Sequence, residues 1–313
     1  LVKLEGIHHI TAITADAQAN VDFYAGALGL RLVKKTVNQD QPSVYHLFYA
    51  DERGSAGSDL TFFEFPGVPH GRAGAGDVHR IVWRVGSAEA LDFWAERLAA
   101  KGAEQQRAGE SLRFSDPEGL DHELAVAAVA DEPLIAAHPE IPAELALRGF
   151  HAVRAYAGAP GASRGLLEAL ELRPADGGWE ARGERRGGLY LYDEPPAERS
   201  LQGAGSVHHV AWASQPEEHE AWRERASSAG AQPTPLIDRF YFRSIYFREP
   251  SGVLFEIATL GPGFTVDEPL ERLGEKLSLP PAFEHLRPEL EATLRPLVNP
   301  RARERHPSPG PAG

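Results

Sequence analysis

Apolar and polar positions alternate in four short stretches of the chain: "GIHHITAIT" from residue 6, "DVHRIVWRV" from 77, "GFHAVRAYA" from 149 and "SVHHVAWAS" from 206. A period of two sends successive side chains to opposite faces and predicts strands. After each strand the period lengthens to that of a helix, in "DAQANVDFYAGALGL", "SAEALDFWAERLAAKG", "GASRGLLEALEL" and "QPEEHEAWRERASSAG". Asp16, Ser87 and Ser214 stand where N-cap side chains are expected. Short alternating runs follow, such as "RLVKKTV", "VYHLFYA" and "DLTFFEF" in the first unit. The second and fourth units close on a shared turn-and-strand signature, "SDPEGLDHELAV" against "REPSGVLFEIAT". Strand, helix and closing turn recurring in order define a repeat, with His8, His79, His151 and His208 as equivalent points. Each unit reads as βαβββ, and the chain as an α+β protein of four such modules.

Two modules per domain predict one domain over residues 1–135 and a second over 147–262, joined by the Pro- and Ala-rich "DEPLIAAHPEIPAEL". Residues 263–313 form a tail with two short helical patterns, "VDEPLERLGEKL" and "PELEATLRPLV". It ends in "RARERHPSPGPAG", a stretch with the composition of disorder.

Composition narrows the chemistry. The 313 residues include no cysteine, which excludes disulfides, thiolate metal sites and a cysteine nucleophile, so any metal must take nitrogen and oxygen ligands. A net charge of -13 argues against a nucleic-acid partner. No apolar run suffices to span a bilayer and the N-terminal residues lack a signal-peptide pattern, so a cytoplasmic protein without a membrane partner is expected, with homo-oligomerisation left open.

The candidate site lies in the repeats. A lone strand histidine is ordinarily a hydrogen-bonded core residue. Here two His-His pairs, His8–His9 and His208–His209, occupy equivalent positions of the first and fourth modules. Glu256, between Phe255 and Ile257, would be costly to bury without a cation. In the second and third modules the position of His9 and His209 is taken by Arg80 and Ala152, and Glu123 lacks histidine partners, so these modules read as structural.

This pattern resembles the vicinal oxygen chelate superfamily, in which paired βαβββ units curl into a cup around a metal. The likeness implies two domains of that type. More specifically, "GIHHIT", "LTFFEFPG", "DVHRIVWRV", "VHHVAW", "DRFYFRSIYFREPSGVLFEIAT" and "FTVDEPLERLGEKL" look like the hydroquinone-opening ring-cleaving dioxygenases, the chlorohydroquinone 1,2-dioxygenase group. That resemblance implies Fe(II) held by His9, His209 and Glu256, an arrangement that leaves coordination positions open for an aromatic diol and O2. It also implies roles around the metal for His8, Thr11, His208, Arg239 and Tyr246. His208 would exchange a proton, Arg239 would hold negative charge, and Tyr246 would donate a hydrogen bond to bound oxygen. Strict alternation would turn His8 and His208 away from their neighbours, and a β-bulge or strong twist is needed to bring them back. A glyoxalase-type lyase on the same fold is the main alternative, with Glu64 in the register of Glu256 as a fourth ligand. A metal-free binding protein is the third.

Overall fold

A computed structural model describes residues 2–301. The first module runs β1 (Ile7–Thr14), α1 (Ala17–Val21) continued by a π-turn over Asp22–Ala27, then β2 (Arg31–Asn38), β3 (Gln41–Ala50) and β4 (Asp59–Glu64). The second runs β5 (Val78–Val85), α2 (Ala88–Ala100), β6 (Gln105–Ala108), β7 (Ser111–Ser115) and β8 (Asp121–Val126). The third runs β9 (Phe150–Tyr156), α3 (Arg164–Ala169), β10 (Arg173–Ala175), β11 (Gly178–Arg182) and β12 (Gly187–Asp193). The fourth runs β13 (Val207–Ser214), α4 (His219–Ser228), β14 (Ile237–Asp238), β15 (Phe242–Arg248) and β16 (Leu254–Pro262). All four are thus βαβββ.

Two eight-stranded sheets result, ordered β14-β15-β16-β13-β1-β4-β3-β2 and β10-β11-β12-β9-β5-β8-β7-β6. The opening strands meet at the centre of each sheet, β1 against β13 and β5 against β9. The sheets therefore join module one to four and module two to three, and neither is confined to residues 1–135 or 147–262. Sequential modules are tied instead by side chains. The Tyr24 hydroxyl donates to Asp116 at 2.8 Å, and that of Tyr190 donates to Glu249 at 2.9 Å, both from buried positions.

The helices cover the sheets with one apolar stripe each. On α2, Leu91, Trp94 and Leu98 fall on one face at helical spacing and are fully buried. Asp16 and Ser87 cap as expected, Asp16 accepting from Gln18 and Ala19, Ser87 from Ala90. Ser214 does not cap. It closes β13, and Pro216 opens a 3-10 turn that delays α4 to His219, where the imidazole Nδ1 lies 3.0 Å from the Ser214 hydroxyl. The first helical pattern of the tail is likewise replaced by 3-10 turns at Phe264–Val266 and Leu270–Arg272, because Pro269 interrupts it and Asp267 and Glu268 turn inward to the buried Lys34. The second pattern forms α5 (Arg287–Thr293). Most of "RARERHPSPGPAG" lies outside the described residues. No helix among the described residues is long and apolar enough to cross a membrane.

Candidate metal centre

The sheet register builds the site. From β15 to β4, Tyr246, Glu256, Ala211, His9 and Asp59 are successive cross-strand partners. Ala211 stands between Glu256 and His9, and its methyl group leaves room for their side chains to converge. His209, two residues before Ala211, shares its face. Three ligand atoms meet there: His9 Nε2 and His209 Nε2 lie 3.1 and 2.9 Å from Glu256 Oε2 and 3.3 Å from each other. Each of the three residues is at least 96% buried.

Adjacent histidines come into contact because the pleat is broken; His208 lines the cavity with His209, whereas His8 lies behind His9. Between β1 and β13, Ile7 and His9 oppose Trp212 and Ala211, leaving His8 as the extra residue of a bulge; Thr11 and Ala12 oppose His209 and Val207, leaving His208 extra. His79 and His151 are the extra residues at the same points of β5 and β9. The bulge is a property of the repeat. It brings His8 Nδ1 to 2.9 Å from His9 Nδ1, and His208 Nδ1 to 2.8 Å from His209 Nδ1.

These contacts test whether a cation fits. His8 Nε2 faces the Thr259 carbonyl at 3.1 Å and must donate to it. Burial, followed by the neighbouring His9, lowers the His8 pKa to about 3, so the ring is neutral and its Nδ1 accepts from His9 Nδ1–H. His9 Nε2 is then the atom aimed at Glu256 Oε2; burial would lower the His9 pKa, but the carboxylate raises it, a proton standing where a cation would. Burial alone would raise the Glu256 carboxyl, but the two imidazoles hold it well below the usual range. Two ring nitrogens and a carboxylate oxygen facing one another, each oriented by an outer partner, make a donor set for a cation. The second Glu256 oxygen accepts from Ser244 Oγ at 2.5 Å.

A cavity of about 470 Å³ opens beside the triad, lined by Thr11, His208, Arg239 and Tyr246 among others. Burial lowers the His208 pKa to about 4. Burial first, then Glu256, raises that of Tyr246, so its hydroxyl keeps its proton. Arg239 Nε reaches the Tyr246 hydroxyl at 3.3 Å, and its terminal nitrogens make two 3.1 Å contacts with Asp40 at the β2–β3 turn. Arg239 sits at a tight turn whose next residue, Phe240, has φ of 71°.

Glu64 is not part of this group. Equating His9 with His209 matches Thr11 to Ala211 and, through the parallel pairs Thr11–Thr61 and Ala211–Glu256, makes Thr61 the counterpart of Glu256. Glu64 lies three residues on, opposite Thr14, and accepts from the Ala17 backbone N–H at the start of α1. Among the described residues the triad alone groups three potential metal ligands. In the other sheet Arg80 and Arg113 approach Glu123 at 3.4 and 3.1 Å, a cationic substitute for a metal. Sequence reasoning missed Ser244, Thr61, Asp40 and His46. Only His46 had a signal, since the alternation of "VYHLFYA" puts it on the face of Val44 and Phe48.

The chain belongs to the glyoxalase/bleomycin resistance protein/dioxygenase superfamily, whose model matches residues 6–124 and 149–257. Relatives within it carry ring-cleaving dioxygenase assignments. A Bacillus subtilis protein assigned as ring-cleaving dioxygenase MhqA is 39% identical over 95% of this chain and all of the relative. The chlorohydroquinone/hydroquinone 1,2-dioxygenase of Sphingobium indicum is 34% identical over 95% of this chain and 98% of the relative. A crystal structure from Bacillus subtilis, assigned as a dioxygenase, superposes with a TM-score of 0.88 at 38% identity, covering 96% of this chain and 99% of that one. Maize glyoxalase I, at 16% identity and a TM-score of 0.55 over 82% of this chain and 92% of its own, shares the fold.

Proposed function

We propose that the protein is an Fe(II)-dependent dioxygenase that opens the ring of a hydroquinone with O2. The observation that carries this reading is the asymmetry of the triad. A fourth protein ligand related by the repeat would have to come from Thr61, whose hydroxyl is instead hydrogen-bonded to Thr11 at 2.9 Å. Two histidines and one carboxylate, with no fourth histidine or carboxylate grouped with them among the described residues, suit Fe(II) chemistry that needs open positions. When bound, Fe(II) would acidify a coordinated phenol and pass electrons between the ring and O2.

The chain's own groups supply the rest. Phe48, Phe63 and Phe242 give the cavity flat apolar walls that receive an aromatic ring. Arg239 places a fixed positive charge, and Tyr246 a phenolic donor, on the Glu256 side, where negative charge on substrate oxygen is stabilised. His208, neutral and open to the cavity, can take or return a proton there. The para-diol preference rests on the chlorohydroquinone/hydroquinone dioxygenase relative.

The test is anaerobic loading with Fe(II), then oxygen-uptake assays on hydroquinone, chlorohydroquinones, catechol and a glutathione hemithioacetal. Oxygen uptake with the para-diols is expected. Catechol turnover equal to or better than theirs would overturn the substrate, and hemithioacetal isomerisation without oxygen uptake would overturn the reaction.

A further inference from the structure

His46 lies on β3 with its ring between those of Phe48 and Phe63, at centroid distances of 4.0 and 4.4 Å, and it lines the cavity. Its Nε2 is 2.8 Å from the Thr61 hydroxyl, which is 2.9 Å from that of Thr11. No hydrogen bond from its Nδ1 to another described residue is present.

The repeat gives this chain its meaning. Thr61 matches Glu256, and the pairing of Phe48 with Thr61 and Tyr246 with Glu256 matches His46 to Ser244. Ser244 holds Glu256 from behind on the ligand side of the centre. On the opposite side, where no protein ligand stands, the equivalent contact is His46 to Thr61. Two hydroxyls and an imidazole therefore run from beside His9 to the cavity wall. A hydroxyl can pass a proton but not keep one. An imidazole can accept a proton at one nitrogen and release it from the other.

We infer that Thr11, Thr61 and His46 form a proton relay on the open side of the centre, which removes the hydroxyl proton of a diol as it binds. This rests on the proposed reading of the site as one that takes a phenolic substrate. The step moves only a proton. The substrate O–H bond breaks toward a threonine hydroxyl, the threonine proton passes along the chain to His46 Nε2, and the Nδ1 proton leaves for water in the cavity. The substrate is left as the phenolate, and neither it nor the relay changes oxidation state. His46 touches the substrate through Thr61 and is a positioning residue in this scheme. Burial, then the nearby His9 and His209, lowers its pKa, so the ring passes the proton on from Nδ1 as it takes one at Nε2 and does not store it.

The experiment compares His46→Ala, Thr61→Val and Thr61→Ser with wild type, each loaded with Fe(II) and checked for metal content. The appearance of phenolate absorption is followed anaerobically by stopped flow with chlorohydroquinone, alongside kcat and KM for the same substrate. Phenolate formation and kcat are expected to fall about 10²-fold in His46→Ala and Thr61→Val, with KM within about twofold and full metal content. Thr61→Ser keeps the hydroxyl and should stay near wild type, and free imidazole should restore His46→Ala. Unchanged phenolate formation in His46→Ala, equal impairment by Val and Ser at position 61, or no imidazole rescue would each overturn the relay. A wild type inactive on every diol would overturn the reading of the function, and the relay with it.

Discussion

Replacing Lys34 by Met should loosen the wall of the cavity from outside. Lys34 is on β2 with no exposed surface, its ammonium 2.7 Å from Asp267 Oδ1, 3.2 Å from the Phe264 carbonyl and in contact with Glu268. Methionine keeps the apolar stem and removes the charge. The Asp267 side chain, 19% exposed, can turn toward water. Glu268 cannot: its side chain is 1% exposed, and its other oxygen already lacks a hydrogen-bond partner. Breaking one half of a buried ion pair costs about 3–5 kcal/mol. With one stranded carboxylate instead of two, the lower end, about 3 kcal/mol, is expected. The double variant Lys34→Met/Glu268→Gln removes the stranded charge and should recover to within about 1 kcal/mol of wild type. Urea unfolding of the four members of this cycle supplies the numbers. Asp267 also accepts from the hydroxyl of Tyr241, which lines the cavity with Phe48 and Phe242, so KM should rise more than kcat falls in the single variant. A single variant within about 1 kcal/mol of wild type, or a double variant as unstable as the two singles summed, would refute the reasoning.

Glu256→Gln removes the anionic member of the triad and should abolish metal retention on dialysis. His208→Ala should keep the metal while turnover drops about 10²-fold, so metal content separates the two. Ser244→Ala, which frees one Glu256 oxygen, should weaken metal affinity by about 10–100-fold in a competitive chelator titration. Elemental analysis should give one metal per chain, because Arg80 and Arg113 already neutralise Glu123 in the second sheet; two per chain would contradict that substitution. Hydrogen bonding to Arg154 lowers the Asp193 carboxyl from 3.8 to about 2. Its contribution is therefore complete above its ordinary pKa and lost as pH falls toward 2, so the acid-side fall in urea midpoint should be smaller in Asp193→Asn.

The modules were legible because strand and helix periods change at fixed places and the same turn signature closes two of them. Their pairing was not. Chain order suggests neighbours, whereas the opening strand of the first module finds its partner in that of the fourth, a contact across some two hundred residues that no local pattern encodes. The same limit misplaced Glu64. Read along "LTFFEF" it looks like a counterpart of Glu256, but the match is decided by cross-strand register, which sets Thr61 opposite Thr11 and carries Glu64 three residues past the centre. Ser244 and His46 were hidden for a related reason: each matters through a residue on the adjacent strand.

The doubled histidine owes its geometry to the backbone. An extra residue at His8, His79, His151 and His208 shows that the bulge is present whether or not a metal ligand follows it. What differs is the next residue and the residue three beyond the first histidine. In the fourth module His209 is followed at that point by Ala211, which leaves a gap beside Glu256. In the second module Arg80 is followed by Val82 beside Glu123, and the arginine reaches the carboxylate itself. A bulged frame with a buried carboxylate needs positive charge at its centre, supplied by a side chain in one sheet and, in the proposed reading, by an ion in the other. In that reading the sheet that would take the ion has an open centre because its repeat is incomplete. Thr61 stands where symmetry would put a second carboxylate, and that omission leaves one side of the centre facing the cavity.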